Sequence, residues 1–263
     1  MAIIKEMNVE KFEQRKSEMP LQEVKMAGRS KRWVQVLAIL VSVVPMYAAL
    51  IIYHLSSGQQ TNSMEGFFGY LTINGTISIT VIYLLQRYLL KERFRDLNLK
   101  SAKWWQDTLG VAGLLFTTLV LLPYLTGFLT ANLPQQDMSG LGDLFGGLAE
   151  NPLLAVLFIG PVLMIGVGFE EVTRVFFLKR AWAAWPAPLS KWLNIFISAV
   201  VFGLAHLYQG PAGVVSTGVY GLFMAIYYRY IGRLFPMVIA HYLHDAIQFV
   251  MLIVLIRNGV IQL

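Results

Sequence analysis

The chain has 263 residues, 56% of them hydrophobic and 14% charged, with a formal net charge of +6. Soluble domains carry about 25% charged residues, so an ordinary water-soluble fold is excluded, and the lack of cysteine excludes a disulfide framework or a thiolate metal site. The basic residues sit in short runs between apolar segments, where they report membrane topology, and no nucleic-acid partner is expected.

Residues 1–32 mix both charge signs and lack the apolar core and cleavage site of a signal peptide; they read as a solvated cytoplasmic tail. Residues 33–64 contain no Asp, Glu, Lys or Arg, and 34–55 are expected to form the first membrane span. The second span, 67–90, holds Thr72, Asn74, Thr76, Ser78 and Thr80, small polar residues suited to close helix packing. A connector at 87–103 is rich in Lys and Arg, and the third span follows at 108–133. The Gly-rich stretch 134–151, with Asp137, Asp143 and Glu150, reads as a flexible surface loop. Spans four to seven are expected at 152–178, 192–207, 213–228 and 234–256. The fold class is therefore all-α, a polytopic membrane helix bundle of about seven to eight transmembrane helices. It divides into a tail (1–32), three N-terminal helices with their loops (33–150) and a helical core (151–263).

Connectors rich in Lys and Arg alternate with connectors lacking them. The positive-inside rule then puts the N-terminus, 87–103, 179–191 and Arg229/Arg233 in the cytoplasm. Trp33, Trp104, Trp105, Trp182, Trp185 and Trp192 fall at the same boundaries, as an aromatic belt does. A multi-pass protein of the cell (inner) membrane is expected, with the lipid bilayer as its surroundings.

Against this background the run Phe169-Glu170-Glu171-Val172-Thr173-Arg174 stands out. An ionisable group at mid-bilayer costs at least ~2.5–3.5 kcal/mol, so three in one span need partners from other helices or a wet cavity. The candidates are His206 in the fifth span and His241, His244 and Asp245 in the seventh. At about 1.5 Å rise per residue, the two Glu lie roughly 14 Å from the cytoplasmic end, His241 roughly 12 Å and His206 roughly 20 Å. Helix tilt can bring these into one layer. His241 and Asp245, four apart, share a helix face.

Each has a plainer reading. Glu170 and Arg174, also four apart, can neutralise one another, but that leaves the second Glu without a partner. His206 alone would be a packing histidine; its place just ahead of Gly210-Pro211, where a helix ends, favours function. His241 and Asp245 can be a simple brace, and His54 near the far end of span one is read as structural. Taken together, a carboxylate beside an imidazole can take a proton from water and direct it at a carbonyl. A second imidazole can stabilise the oxyanion or bind a divalent ion. No Gly-x-Ser-x-Gly elbow and no His-Glu-x-x-His helix is present, so water attack is preferred over an acyl-enzyme or a zincin mechanism.

The three motifs Glu170-Glu171 with Arg174, Phe202-Gly203-Leu204-Ala205-His206, and His241-Tyr242-Leu243-His244-Asp245 resemble those of the CPBP intramembrane protease family (CAAX protease and bacteriocin-processing, or Abi, family), particularly its bacterial members. The resemblance covers about residues 150–256. It implies an all-helical membrane protease acting on a peptide or protein substrate at the membrane. Glu170 would be the base, His206 its partner, and His241 with Asp245 the third motif, supported by Glu171, Arg174, Phe202 and His244. The usual Arg spacing is one residue longer than here, and the resemblance leads us to expect Glu170 to be the reactive acid with Glu171 held by Arg174. Asp245 stands where Asn is common, and an ionised carboxylate cannot donate a hydrogen bond. That favours a brace for His241 or a divalent metal such as zinc, with His206, His241 and Asp245 as its ligands. Two rival functions are a non-catalytic peptide-binding or immunity protein on the same fold, and a proton-coupled transporter, although no internal repeat supports the latter.

Overall fold

The computed structural model describes residues 32–43, 64–98, 104–134 and 139–260. The tail at 1–31, His54 and the part of span one beyond residue 43 lie outside them. Among the described residues there is no strand. The helices are α1 (Arg32–Val43), α2 (Met64–Leu84), α3 (Trp104–Thr130), α4 (Ser139–Glu150), α5 (Pro152–Ala184), α6 (Pro188–Ala205), α7 (Gly210–Ile231) and α8 (Leu234–Arg257). Five of these, α3 and α5 to α8, are long and apolar enough to cross a membrane. In hydrocarbon a helix is one of the two ways a spanning segment can satisfy its own backbone, so apolar runs of this length become helices. Apolar side chains also cover the outside: Phe128 is 82% exposed and Tyr124 80%.

Local chemistry sets the helix ends and kinks. Asn151 caps α5, its side-chain oxygen accepting from the Leu154 N–H at 3.2 Å, and Pro152 takes the first turn, where its missing N–H costs nothing. Pro161 lies inside α5 and has no N–H to give, and a single π-turn, Phe158–Val162, forms there. A second π-turn interrupts α3 at Thr117–Leu121.

One expectation is corrected. The Gly-rich stretch read as a flexible loop contains the twelve-residue helix α4. Phe145, Leu148 and Ala149 fall on one helical face and are buried against Phe158 of α5 and Ile253 of α8. Burial of that face outweighs the low helix propensity of its glycines.

The most extensive helix contact is between α6 and α7. Gly203 makes it possible: a Cβ there would lie 2.6 Å from the Val214 carbonyl oxygen and 3.1 Å from the Gly218 Cα. Helix α8 packs against α3, α4 and α5, and α2 lies along α5. Of the polar residues in α2, Asn74 and Ser78 are buried and hydrogen-bonded to each other at 3.5 Å, whereas Thr76 and Thr80 face outward.

A charged lock closes the basic end of the bundle. Glu92 accepts from both terminal nitrogens of Arg180 at 3.1 and 2.9 Å and from Lys179 at 3.0 Å. Gln35 of α1 accepts from the same guanidinium at 3.0 Å. Burial alone would raise the Glu92 carboxyl; the hydrogen bonds and charges of Arg180 and Lys179 outweigh it and hold the group below its ordinary value. Tyr228 donates to the Leu97 carbonyl, and Arg233 grips Asp107 bidentately at 3.1 and 2.7 Å. Helices α3, α5, α7 and α8 are thereby tied together at one end, a few turns from the Glu pair.

Candidate active site

Glu170 and Glu171 are neighbours on α5, so their side chains diverge by about 100° around the helix axis. Glu171 points into the protein and is fully buried. Its Oε2 accepts from Arg174 Nε at 3.1 Å and its Oε1 from His241 Nδ1 at 2.8 Å. A buried carboxylate survives in such surroundings only with partners of this kind. Arg174 is held on other sides too. One Nη donates to the Gly221 carbonyl at 3.0 Å, and the Phe202 ring lies 4.0 Å from the guanidinium carbon. Gly221 is glycine for a local reason, since a Cβ would sit 2.7 Å from that Arg174 nitrogen and 2.9 Å from the Phe202 ring. The alternative pairing of Arg174 with Glu170, four residues earlier, is not the one formed: Glu170 turns instead toward His241.

Glu170, with its side chain 20% exposed, faces a cavity of about 480 Å³. His206, His241, His244 and Asp245 line the same cavity, as do Phe202 and Tyr220. Helix α6 stops at Ala205, and His206 is its C-terminal cap, followed by the 3-10 turn Leu207–Gln209. The His206 Nδ1 lies 2.8 Å from the Phe202 carbonyl oxygen. A carbonyl only accepts, so Nδ1 carries the proton and, in the neutral ring, Nε2 carries the lone pair. The four-residue spacing of Phe202 and His206 thus has a structural cause: one residue fixes the tautomer of the other and also covers Arg174.

His241 is oriented by the same logic. Its Nδ1–H donates to the Glu171 carboxylate, which leaves Nε2 facing Glu170 at 3.8 Å and Asp245 at 3.5 Å. One imidazole therefore joins acids from two helices. His244, one turn along α8, lies beside Gln248, whose Nε2 is 2.5 Å from the imidazole Nε2, and its ring packs 5.0 Å from that of Tyr220.

The residues expected to hold a divalent ion do not form a ligand set. Among the described residues no group of three His, Cys, Asp or Glu is placed to bind a metal ion. His206 and His241 each commit Nδ1 within the protein, and the His241 Nε2 is already flanked by two carboxylates. The geometry suits proton transfer and hydrogen bonding to water.

Sequence reasoning passed over Tyr220. Its ring lies 4.8 Å from that of His241 and 6.4 Å from that of Phe202, bridging α7 to the cluster. A tyrosine between Val219 and Gly221 in an apolar helix carries no ionic signal, so nothing in the sequence marked it.

Residues 151–247 match the family model described as type II CAAX prenyl endopeptidase Rce1-like, in accord with the resemblance to the CPBP intramembrane proteases seen in the motifs. No curated protein and no solved structure matches the chain. The matched stretch takes in α5 to α7 and α8 as far as Ile247, and so every acid and histidine of the cluster described above. The matched stretch belongs to a multi-pass chain in which five of the described helices are long and apolar enough to cross a membrane.

Proposed function

With residues 151–247 as an Rce1-like core, we propose that the protein hydrolyses a peptide bond of a membrane-associated substrate, such as a C-terminal or leader peptide, using water activated by Glu170 and His206. The observation that carries this reading is the convergence of Glu170, His206, His241 and Asp245, from three helices, on one cavity large enough for a short peptide segment.

In this mechanism Glu170 is the general base. The water oxygen bonds to the substrate carbonyl carbon, its proton passes to Glu170, and the carbonyl π pair moves onto oxygen. Collapse then breaks the C–N bond, and Glu170 returns the proton to the departing amine. The His206 Nε2 accepts the water's other hydrogen and orients the attack. His241 stands between Glu170 and Asp245 and holds the two acids in place. Glu171, Arg174 and Phe202 are positioning residues: they fix the tautomers and angles of the two histidines. His244 belongs to the adjoining wall of the cavity. The basic end of the bundle, with its Lys and Arg, faces the cytoplasm of a cell whose inner membrane holds the chain, and the cavity takes substrate from that side.

The test is cleavage of fluorogenic membrane peptides, prenylated and unprenylated, by purified protein in proteoliposomes. Cleavage is expected, with loss in Glu170→Ala, His206→Ala and His241→Ala variants that still fold and insert. Full activity of Glu170→Ala would overturn the assignment. Activity is expected to survive dialysis against a chelator, and a loss restored by added zinc would show that the side-chain arrangement has been misread.

A further inference from the structure

Water attack on a carbonyl places a negative charge on its oxygen, and a hydrolase needs a hydrogen-bond donor aimed there. The acids of this cavity cannot provide one while ionised. The His206 Nδ1–H is taken by the Phe202 carbonyl and the His241 Nδ1–H by Glu171. Among the cavity hydroxyls, those of Thr118, Thr126 and Thr217 donate to carbonyls of their own helices. Position 245, where an Asn amide would donate, holds Asp.

His244 Nδ1 is also buried without a partner, but an imidazole nitrogen donates in only one tautomer, whereas a tyrosine hydroxyl always carries its proton; the candidate is therefore Tyr220. It is 7% exposed, lines the cavity, and its hydroxyl is buried without any hydrogen-bond partner. A buried polar group left unsatisfied costs about 1–3 kcal/mol, and such a group in a folded protein calls for a reason. Its ring lies 4.8 Å from that of His241 and 5.0 Å from that of His244. Resting on the hydrolase reading above, we propose that the Tyr220 hydroxyl is the oxyanion donor of this enzyme, a catalytic residue that supplies the hydrogen bond Asp245 cannot. No proton is transferred: as water adds to the carbonyl and its proton goes to Glu170, the substrate oxygen takes up the carbonyl π pair and accepts from the Tyr220 O–H. The bond loosens again when the C–N bond breaks and the carbonyl re-forms. The hydroxyl that lacks a partner in the resting protein gains one in the transition state, which is the differential binding that accelerates a reaction.

The experiment compares wild type, Tyr220→Phe, Asp245→Asn and the double variant in the proteoliposome cleavage assay. Tyr220→Phe removes one oxygen and should lower kcat by about 10²-fold, the usual effect of losing one oxyanion donor, with KM nearly unchanged. Its unfolding midpoint should equal or exceed that of wild type, because an unsatisfied hydroxyl has gone. Asp245→Asn introduces an amide donor beside His241, so the double variant should recover roughly tenfold of the loss in Tyr220→Phe. Binding of a peptidyl trifluoromethyl ketone, whose hydrate mimics the tetrahedral state, should weaken by about 10²-fold in Tyr220→Phe. Binding of uncleaved peptide, measured in the Glu170→Gln background, should not change. Tyr220→Phe turning over at the wild-type rate, or weakening substrate and hydrate binding equally, would overturn the proposal while leaving the hydrolase reading intact. A wild type that cleaves no peptide would remove both.

Discussion

Glu170 and Glu171 are adjacent in sequence and opposite in physics, and replacing each by Gln separates their roles. Glu171 is wholly buried between Arg174 and His241, with those two side chains 2% and 5% exposed. Glu171→Gln keeps the shape and removes the charge, so the Arg174 guanidinium loses its counter-ion inside the bundle. Breaking a buried ion pair by removing one partner costs about 3–5 kcal/mol. For a chain of this size ~2–4 °C of midpoint shift per kcal/mol is usual, so thermal unfolding in detergent should begin roughly 6–20 °C lower. Cleavage should fall too, because the His241 tautomer is no longer fixed. Glu170 faces the cavity, and its contact with the His241 Nε2 is long, 3.8 Å, and shared with Asp245. Glu170→Gln should leave the midpoint within a few degrees of wild type, while kcat drops by about 10²–10⁴-fold as the general base disappears. Differential scanning fluorimetry beside the cleavage assay reads both effects on the same samples. If Glu171→Gln melted with wild type, or if Glu170→Gln lost as much stability as Glu171→Gln, the division of labour drawn from the hydrogen bonds would be wrong.

Gly221→Ala should destabilise by about 1–3 kcal/mol and reduce cleavage, since its methyl would press on Arg174 and Phe202 at 2.7 and 2.9 Å; an unchanged melting curve would refute this. Phe202→Ala should cost roughly 3–5 kcal/mol and lower kcat, because it uncovers Arg174 and loosens the turn that holds His206; retained activity in a stable variant would argue against that coupling. Glu92→Ala strips the acid from Arg180, which is 2% exposed, and should cost about 3 kcal/mol far from the cavity, read as a lowered midpoint with kcat of the surviving fraction intact. The same pair sets a pH dependence. The Glu92 carboxyl is held below its unfolded value, so its contribution is complete at neutral pH and above the ordinary carboxylate range, and is lost as pH falls through the lowered value. Acid melting curves of wild type and Glu92→Ala should therefore converge at low pH, and parallel curves would contradict the assignment.

The helical architecture was legible because it depends on composition and length. Apolar runs about twenty residues long, punctuated by Lys/Arg clusters, leave a backbone in hydrocarbon with little choice but helix. The residues that gather at the cavity and its buried edge were legible for a related reason: ionisable groups in such runs are too costly to be accidental, so Glu170, Glu171, His206, His241 and Asp245 stood out. Residues whose role depends on what lies across from them did not. Stretch 139–150 looked like a loop because its glycines argue locally, whereas Phe145 and Leu148 gain their burial only from α5 and α8. Glu92 was hidden in a basic connector until Arg180, 88 residues away, closed on it. Two acids side by side cannot be told apart by sequence when the Arg spacing allows either to pair. Helix rotation decided it, turning Glu171 inward to Arg174 and His241 and leaving Glu170 at the water. Tyr220 was silent for the same reason: a neutral hydroxyl in an apolar helix is ordinary until the packing of α7 against α5, α6 and α8 seals it without a partner beside two imidazoles. Which groups are costly is a property of the chain; which face each other, and so what they can do, is a property of the bundle.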